Sequence, residues 1–566
     1  MTRRIPSGRW FIVPIGLLVG VAIGTAIGLV VISPQPFAST ARLPSPGASG
    51  AGGSLPSASG SPGPGTSSPP PTALPSAGRS GPPPNAATYV APPLARPLRN
   101  LDPGLAKRDR PPSAAALAEF QTGLPLHLFS AIANPLDWRL TNPGFKGVRG
   151  YAGVVSVLPG GVVPLHLAGA DRTARLDVFR MGVRDATHLA TVTGVPLVDA
   201  AGTAPQLDDG RVEEAWPVAY RLPIPRDWRS GYYLVKLTGS SGRESYVSFV
   251  VRARATAPLM VVLPVMSYQA YNTYGGSSLY AWTDGPRPRA YAVSFDRPFA
   301  DAWGAGLFMR LDFPLVVWLE DHGYAPEYVA DYDVALRPSL IRGAKTVLFT
   351  GHGEYWTGTM RDAVDAASAH GTNLAFFGAN QGFWQSRLVP SSAGESNRVL
   401  LSYKSARLDP IASTDPGATT TRFQEPPVNR PPSDLMGLEY GGIVTNGLQP
   451  LVVGPGITQF APDVGLKPGD RLPGLIGGEI DSAPAGFDGR LLGRTPVAVR
   501  RTPSSTTAAA AVWIRPAGGR VFDAGTFNWS WGLDPRYAAA LPGFPAAAFT
   551  LLNARILAWL GAQPGK

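Results

Sequence analysis

The sequence predicts an α/β protein: a doubly wound parallel sheet preceded by a β-sandwich, behind a transmembrane helix and a disordered linker. Three observations predict it. Between Gly150 and Val251, short alternations of apolar and polar residues are separated by glycine-containing turns, the period of half-buried strands. From Leu259 the pattern changes to continuous apolar runs separated by helical periodicity, as strands covered on both faces require. Before residue 96 neither period occurs. There an uncharged apolar run, Phe11 to Ile32, is followed by Pro, Ser, Gly and Ala.

Residues 1–10 carry Arg3, Arg4 and Arg9, and no basic residue follows the apolar run until Arg42. This asymmetry assigns residues 1–10 to the cytoplasm, 11–32 to a single-pass anchor and the main domains to the outside. The run is long enough for a hydrocarbon core of ~30 Å. A cleaved signal peptide near Phe37-Ala38-Ser39 is the alternative and makes the protein secreted. Residues 33–95 bury too little apolar area to offset the entropy of ordering, so a disordered linker is expected. Residues 96–145 are transitional, with one short helix expected at 114–120. Cysteine is absent, which excludes disulfides, a cysteine nucleophile and thiolate ligands. The net charge of +11 is mostly arginine without a long basic run. That pattern fits a solvated basic surface on an anionic envelope and argues against nucleic-acid binding.

The β-sandwich is expected over 146–255, with strands near Val154–Leu158, Val163–Leu167, Ala174–Arg180, Tyr232–Leu237 and Glu244–Val251. The α/β domain spans 256–566. Leu259–Leu263, Lys345–Phe349 and Asn373–Gly378 are its buried strands. A helix opens at Asp312-Phe313-Pro314, with Asp312 as N-cap, and ends at Gly323. The next has Met360, Ala363, Val364 and Ala367 on one face and stops at His370-Gly371. Residues 387–470 are rich in Pro and Arg and lose the alternation, so a long insertion or lid is expected. Strands return at Leu475–Glu479, Ala508–Ile514 and Gly519–Ala524, and a closing helix runs from about Pro545 to Leu560.

In such sheets, ligands bind beyond the carboxyl ends of the strands. Polar clusters follow the predicted strands there: Tyr268 to Gly276, His352 with Glu354, Asn380-Gln381-Gly382, and Glu479 with Asp481. His352 and Glu354 stand two apart, so an extended backbone points both the same way. Such a pair can bind a metal or move a proton, or simply sit in a turn. No G-x-S-x-G elbow and no H-E-x-x-H motif is present. Phenols and carboxylates are hard donors that suit a hard cation.

Ser267-Tyr268-Gln269-Ala270-Tyr271-Asn272-Thr273-Tyr274-Gly275-Gly276, Gly351-His352-Gly353-Glu354-Tyr355-Trp356 and Gly378-Ala379-Asn380-Gln381-Gly382-Phe383-Trp384 resemble segments of the large (β) subunit of N,N-dimethylformamidase. Leu475–Glu479 and Gly525–Trp529 resemble its later segments, and the resemblance covers about 145–565. It implies an amidotransferase-like sheet behind an immunoglobulin-like sandwich. It also implies a mononuclear iron held by two tyrosines and a glutamate. Glu354 matches the glutamate. Tyr271 is expected as one tyrosine, with Tyr268 as alternative, and Tyr233 as the other, with Tyr232 as alternative. Glu479 is then the base that activates water, His352 a proton shuttle and Asn380 an orienting amide. The implied activity is hydrolysis of a linear amide of unidentified structure by a membrane-anchored, extracytoplasmic enzyme. A non-catalytic cell-envelope binding protein with the same fold is the alternative, and an amidotransferase-like sheet performing another hydrolysis is a third reading. The expected partners are a small amide substrate and the membrane, with homo-oligomers open. The formamidase works with a small partner subunit, of which this chain gives no sign.

Overall fold

The computed structural model describes residues 137–565, apart from 201, 281–288, 461–462, 501–502 and 517. The expected N-terminus, the anchor at 11–32, the linker at 33–95 and most of the segment at 96–145 lie outside the described residues. Among the described residues no helix is long and apolar enough to cross a membrane. The fold is mixed α/β.

The first region is built from two sheets. One has three antiparallel strands, Arg149–Ala152, Val162–Ala168 and Val218–Pro223. The other has five, in the order Ser156–Val157, Glu244–Val251, Gly231–Gly239, Thr173–Gly182, Asp185–Pro196. Val163, Leu165 and Leu167 from the first sheet share a core with Leu176, Val178, Val235, Leu237 and Val247 from the second. Gly231–Gly239 is buried on both faces. Tyr233, Val235 and Leu237 belong to the sandwich core, whereas Tyr232 and Leu234 belong to the larger core of the α/β region. Alternate residues of a strand face opposite ways, so one strand serves two cores. A buried ion pair crosses the same boundary, with Arg180 Nη1 and Nη2 2.7 and 2.8 Å from the Glu320 carboxylate.

The second region is organised on a nine-stranded sheet. Its strands are β1 (Leu259–Leu263), β2 (Glu327–Ala330), β3 (Thr346–Gly351), β4 (Asn373–Gly378), β5 (Gln449–Val453), β6 (Arg471–Ile476), β7 (Arg490–Ala498), β8 (Ser505–Ile514) and β9 (Arg520–Asp523), in the order β2-β1-β3-β4-β9-β8-β7-β5-β6. Helices α1 (Val265–Tyr271), α2 (Phe313–Asp321), α3 (Gly358–Ala369) and α4 (Ala546–Trp559) accompany it. The half from β2 to β9 is parallel. The half from β9 to β6 is antiparallel, so the expectation of a wholly parallel sheet is corrected to a mixed one. The reason is chain length: β7 to β8 and β8 to β9 are joined by a few residues, enough for a hairpin but not for a parallel crossover.

Three further differences bear on the site. Residues 387–470, expected as a long insertion or lid, carry strands of their own. They supply Val399–Leu401 to a second sheet, β5 to the main one, and Glu439–Ile443 as partner of Glu479–Ser482. Strand β2 had no sequence signal beyond Tyr328-Val329-Ala330 beside Glu327. Asp312 precedes α2 as expected, yet its side chain is not a cap: Oδ2 accepts from the Tyr268 hydroxyl at 2.6 Å. Thr357 does cap α3, accepting from Met360 N.

Candidate active site

Strands β3 and β4 lie side by side to their last residues, with Gly351 opposite Gly378. A Cβ on Gly378 would lie 1.6 Å from the Gly351 carbonyl oxygen, so only glycine lets the two ends approach this closely. The chain then turns outward from both. Gly351 takes φ +48° and Asn380 takes φ +54°, a left-handed conformation that asparagine tolerates better than most residues. Gln381 fastens the turn: its amide donates to Gly351 O at 2.9 Å, and its oxygen accepts from Gly353 N at 3.0 Å. Asp481, on the strand Glu479–Ser482, accepts from Asn380 N with both oxygens, at 3.0 and 3.1 Å. The two strand ends thus present His352, Glu354 and Asn380 to one point. Helix α1 delivers Tyr271 there at its last turn, and Glu479–Ser482 delivers Glu479.

The polar atoms converge closely. The Tyr271 hydroxyl lies 2.8 Å from Glu354 Oε2, 2.9 Å from His352 Nε2 and 3.5 Å from Glu479 Oε1. His352 Nε2 is 3.5 Å from Glu354 Oε2, so the side chains two residues apart do share one side. The Tyr280 hydroxyl donates to the same Glu354 oxygen and lies 3.1 Å from that of Tyr271, the two rings stacked at 4.5 Å. Glu354 Oε1 accepts from Trp384 Nε1 at 3.0 Å. Asn380 Nδ2 donates to Glu479 Oε2 at 2.7 Å and reaches Glu354 Oε1 at 3.3 Å. Asn380 Oδ1 is buried and has no hydrogen-bond partner among the described residues. His352 Nδ1 faces Ala379 O at 3.2 Å, which assigns a proton to that nitrogen and leaves Nε2 for the cluster.

Charge within this cluster is divided unequally. Burial pushes the Glu479 carboxyl up to about 7; Glu354 adds to this, while His352 and the Asn380 amide oppose it. Burial acts on Glu354 too, but His352, Lys404 and the Tyr280 hydroxyl outweigh it and hold that carboxyl below its ordinary range. Burial alone would lower His352, yet the two glutamates hold its imidazolium up at about 9. Burial raises both phenols well above their ordinary value, and Glu354 raises them further. Burial also lowers Lys404 to about 7, against the pull of Glu354.

The donor set fits a hard cation. One atom each from His352, Glu354 and Glu479 lie within 4.8 Å of one another, and all three residues are buried. The Tyr271 hydroxyl stands at hydrogen-bond spacing from all three, and the Tyr280 hydroxyl from Glu354 and Tyr271. Donor separations near 3 Å are also those of neighbouring ligands around a cation with bonds of ~2.1 Å. A cation at that point would supply the positive charge that two buried phenols need before they release their protons.

Most of the predicted residues meet here: Glu354, Tyr271, His352, Asn380 and Glu479. Tyr233 does not. It lies in the sandwich core, stacked on Trp228 and Phe249, with its hydroxyl donating to Arg229 O at 2.6 Å. The structure does not bring Tyr233 to the cluster, and the reason is strand parity, since Tyr233 faces away from the α/β core. Tyr232 faces that core but donates to Ala305 O at 2.9 Å, and Tyr268 is engaged by Asp312. Sequence reasoning missed Tyr280, Trp384 and Lys404. Trp384 ends a motif already singled out. Tyr280 follows Gly275-Gly276-Ser277-Ser278 with no periodic signal, and Lys404 lies in the segment expected to be irregular.

The family described as N,N-dimethylformamidase beta subunit-like, C-terminal, matches residues 175–540, more than half of the chain. An N,N-dimethylformamidase beta subunit from Alcaligenes sp is 26% identical over 222 residues, which cover 31% of this chain and 28% of that relative. The match thus spans less than a third of the relative's length. A crystal structure of a Paenibacillus sp. cycloisomaltooligosaccharide glucanotransferase aligns with 40% of this chain and 44% of that one, at 10% identity and a TM-score of 0.14, too low to bear on the fold.

Proposed function

The chain belongs to the N,N-dimethylformamidase beta subunit-like family, and from that membership and the buried cluster we propose that it hydrolyses the C–N bond of a linear amide. The observation that carries the proposal is the meeting of Tyr271, Tyr280 and Glu354 oxygens beside a second, proton-accepting carboxylate, Glu479. In this reading Glu354, Tyr271 and Tyr280 hold an iron ion, Tyr280 taking the role that the resemblance implied for Tyr233. When bound, iron supplies a Lewis acid that polarises the amide carbonyl. The residues of the chain do the rest. Glu479, held by Asn380, removes a proton from water as its oxygen bonds to the amide carbon. Asn380 Oδ1 is free to accept an amide N–H. As the C–N bond breaks, a proton reaches the leaving nitrogen through His352, so the products are a carboxylic acid and an amine.

The test is direct. The purified full chain is expected to hold about one iron per molecule, with a broad visible tyrosinate-to-iron absorption band, and to turn over members of a linear amide panel. Glu354→Ala and Tyr271→Phe should lose the band. A correctly folded chain that takes up no iron and cleaves no amide sinks the proposal.

The proposal includes the setting expected from the sequence: residues 11–32 anchor the chain and the site works outside the cytoplasm. Its support is the uncharged run behind Arg3, Arg4 and Arg9. Full-length protein should then stay with the membrane through an alkaline wash, and deletion of residues 1–32 should release it. Release of the intact full-length chain by the wash alone would refute the anchor.

A further inference from the structure

Lys404 stands at the edge of the cluster without a role in the mechanism above. Its Nζ lies 3.4 Å from the centroid of the Tyr280 ring, 5.0 Å from that of Trp384 and 5.1 Å from that of Tyr355. Tyr280 and Trp384 are the two residues that grip Glu354 from this side. The ammonium is therefore one phenol ring away from the reacting groups. Its position is built in. Lys404 takes φ +55°, a strained conformation that persists only where the surroundings impose it. Arg289 secures the preceding residues, with its guanidinium bonded to the carbonyls of Ser402 and Tyr403.

Among the described residues, neither Lys404 nor Arg289 forms an ion pair with a carboxylate. The inner carboxylates do not depend on contact with Lys404, since Glu354 is held by Tyr271, Tyr280 and Trp384, and Glu479 by Asn380. Arg422, the other cation over Trp384, already pairs with Glu425 at 3.1 Å. An ammonium carries three N–H donors, and ring faces attract its charge without satisfying those donors. Lys404 is half-buried rather than sealed in the core.

We propose that Lys404 is a specificity-determining residue that binds a carboxylate on the substrate, so that the preferred substrate is a short linear amide carrying an acid group. The amide lies at Glu479 and Asn380, and the acid one ring-length away at Lys404. A hydrogen-bonded charge of this kind discriminates strongly, because the neutral analogue leaves the ammonium unpaired.

This inference rests on the amide-hydrolase reading, and the experiment separates the two. The iron-loaded full chain is assayed with succinamate and its neutral counterpart succinamide, as wild type, Lys404→Met and Lys404→Arg. Wild type should prefer succinamate at least tenfold in kcat/KM. In Lys404→Met the preference should vanish, mainly through a higher KM for succinamate, and Lys404→Arg should retain part of it. Equal losses on both amides, or a wild type with no preference, overturn the proposal. Cleavage of neither amide counts against the hydrolase reading alone, and calorimetry with succinate then decides the carboxylate site. Binding at least tenfold weaker in Lys404→Met supports it; equal binding, or none to wild type, rejects it. Lys404→Gln replaces Lys404→Met in both assays if the latter does not fold.

Discussion

Glu479→Gln is expected to lower kcat on a linear amide by about 10²- to 10⁴-fold, the range for loss of a general base. Glutamine keeps the size of the side chain and an oxygen for the Asn380 amide, which now donates to Glu479 Oε2 at 2.7 Å. It cannot take a proton. Burial holds the Glu479 carboxyl at about 7, far nearer neutrality than an exposed glutamate, so the native group is a stronger base than its type suggests. Because the change leaves Glu354, Tyr271 and Tyr280 untouched, iron content and the visible band should match wild type. Turnover within threefold of wild type would remove Glu479 from the mechanism. Loss of iron along with activity would instead make it a ligand.

Tyr280→Phe and Tyr233→Phe form the second test, and their effects should fall on different measurements. Tyr280 shares a Glu354 oxygen with Tyr271 and stacks on it, so Tyr280→Phe should shift or abolish the tyrosinate-to-iron band and cut amide turnover at least 100-fold. Tyr233→Phe removes a hydroxyl that donates to Arg229 O within the sandwich. It should leave band and turnover in place and lower stability by about 1 kcal/mol, read as a shift in the urea midpoint. The reverse pattern would restore Tyr233 as the ligand and reject the cluster described here.

The contrast between these two tyrosines shows how far the sequence could be read. Glu354, His352 and Asn380 were legible because each directly follows a buried strand, where strand direction alone sends it to the carboxyl edge. Glu479 was legible for the same reason, after the apolar run Leu475-Ile476. Tyr233 stood in a strand with Tyr232 beside it, and period two guarantees that adjacent residues face opposite ways. It does not say which face meets the second domain. Both faces of Gly231–Gly239 are buried, so the hydrophobic pattern carried no information on that choice. Tyr280 and Lys404 lie in non-repetitive chain, where no period constrains direction.

The same division runs through the whole protein. By itself the sequence determined the classes of element, the strand ends at which polar groups gather, the absence of cysteine chemistry and the resemblance to an amide-hydrolase family. These follow from local periodicity and residue type, which act within a few residues. Only the tertiary structure decided that the sheet is half antiparallel, that residues 387–470 are woven into it, and that Tyr280 rather than Tyr233 stands beside Tyr271. Those outcomes depend on which apolar faces are buried against each other across long stretches of chain. Packing settles that choice between faces that local patterns leave equal.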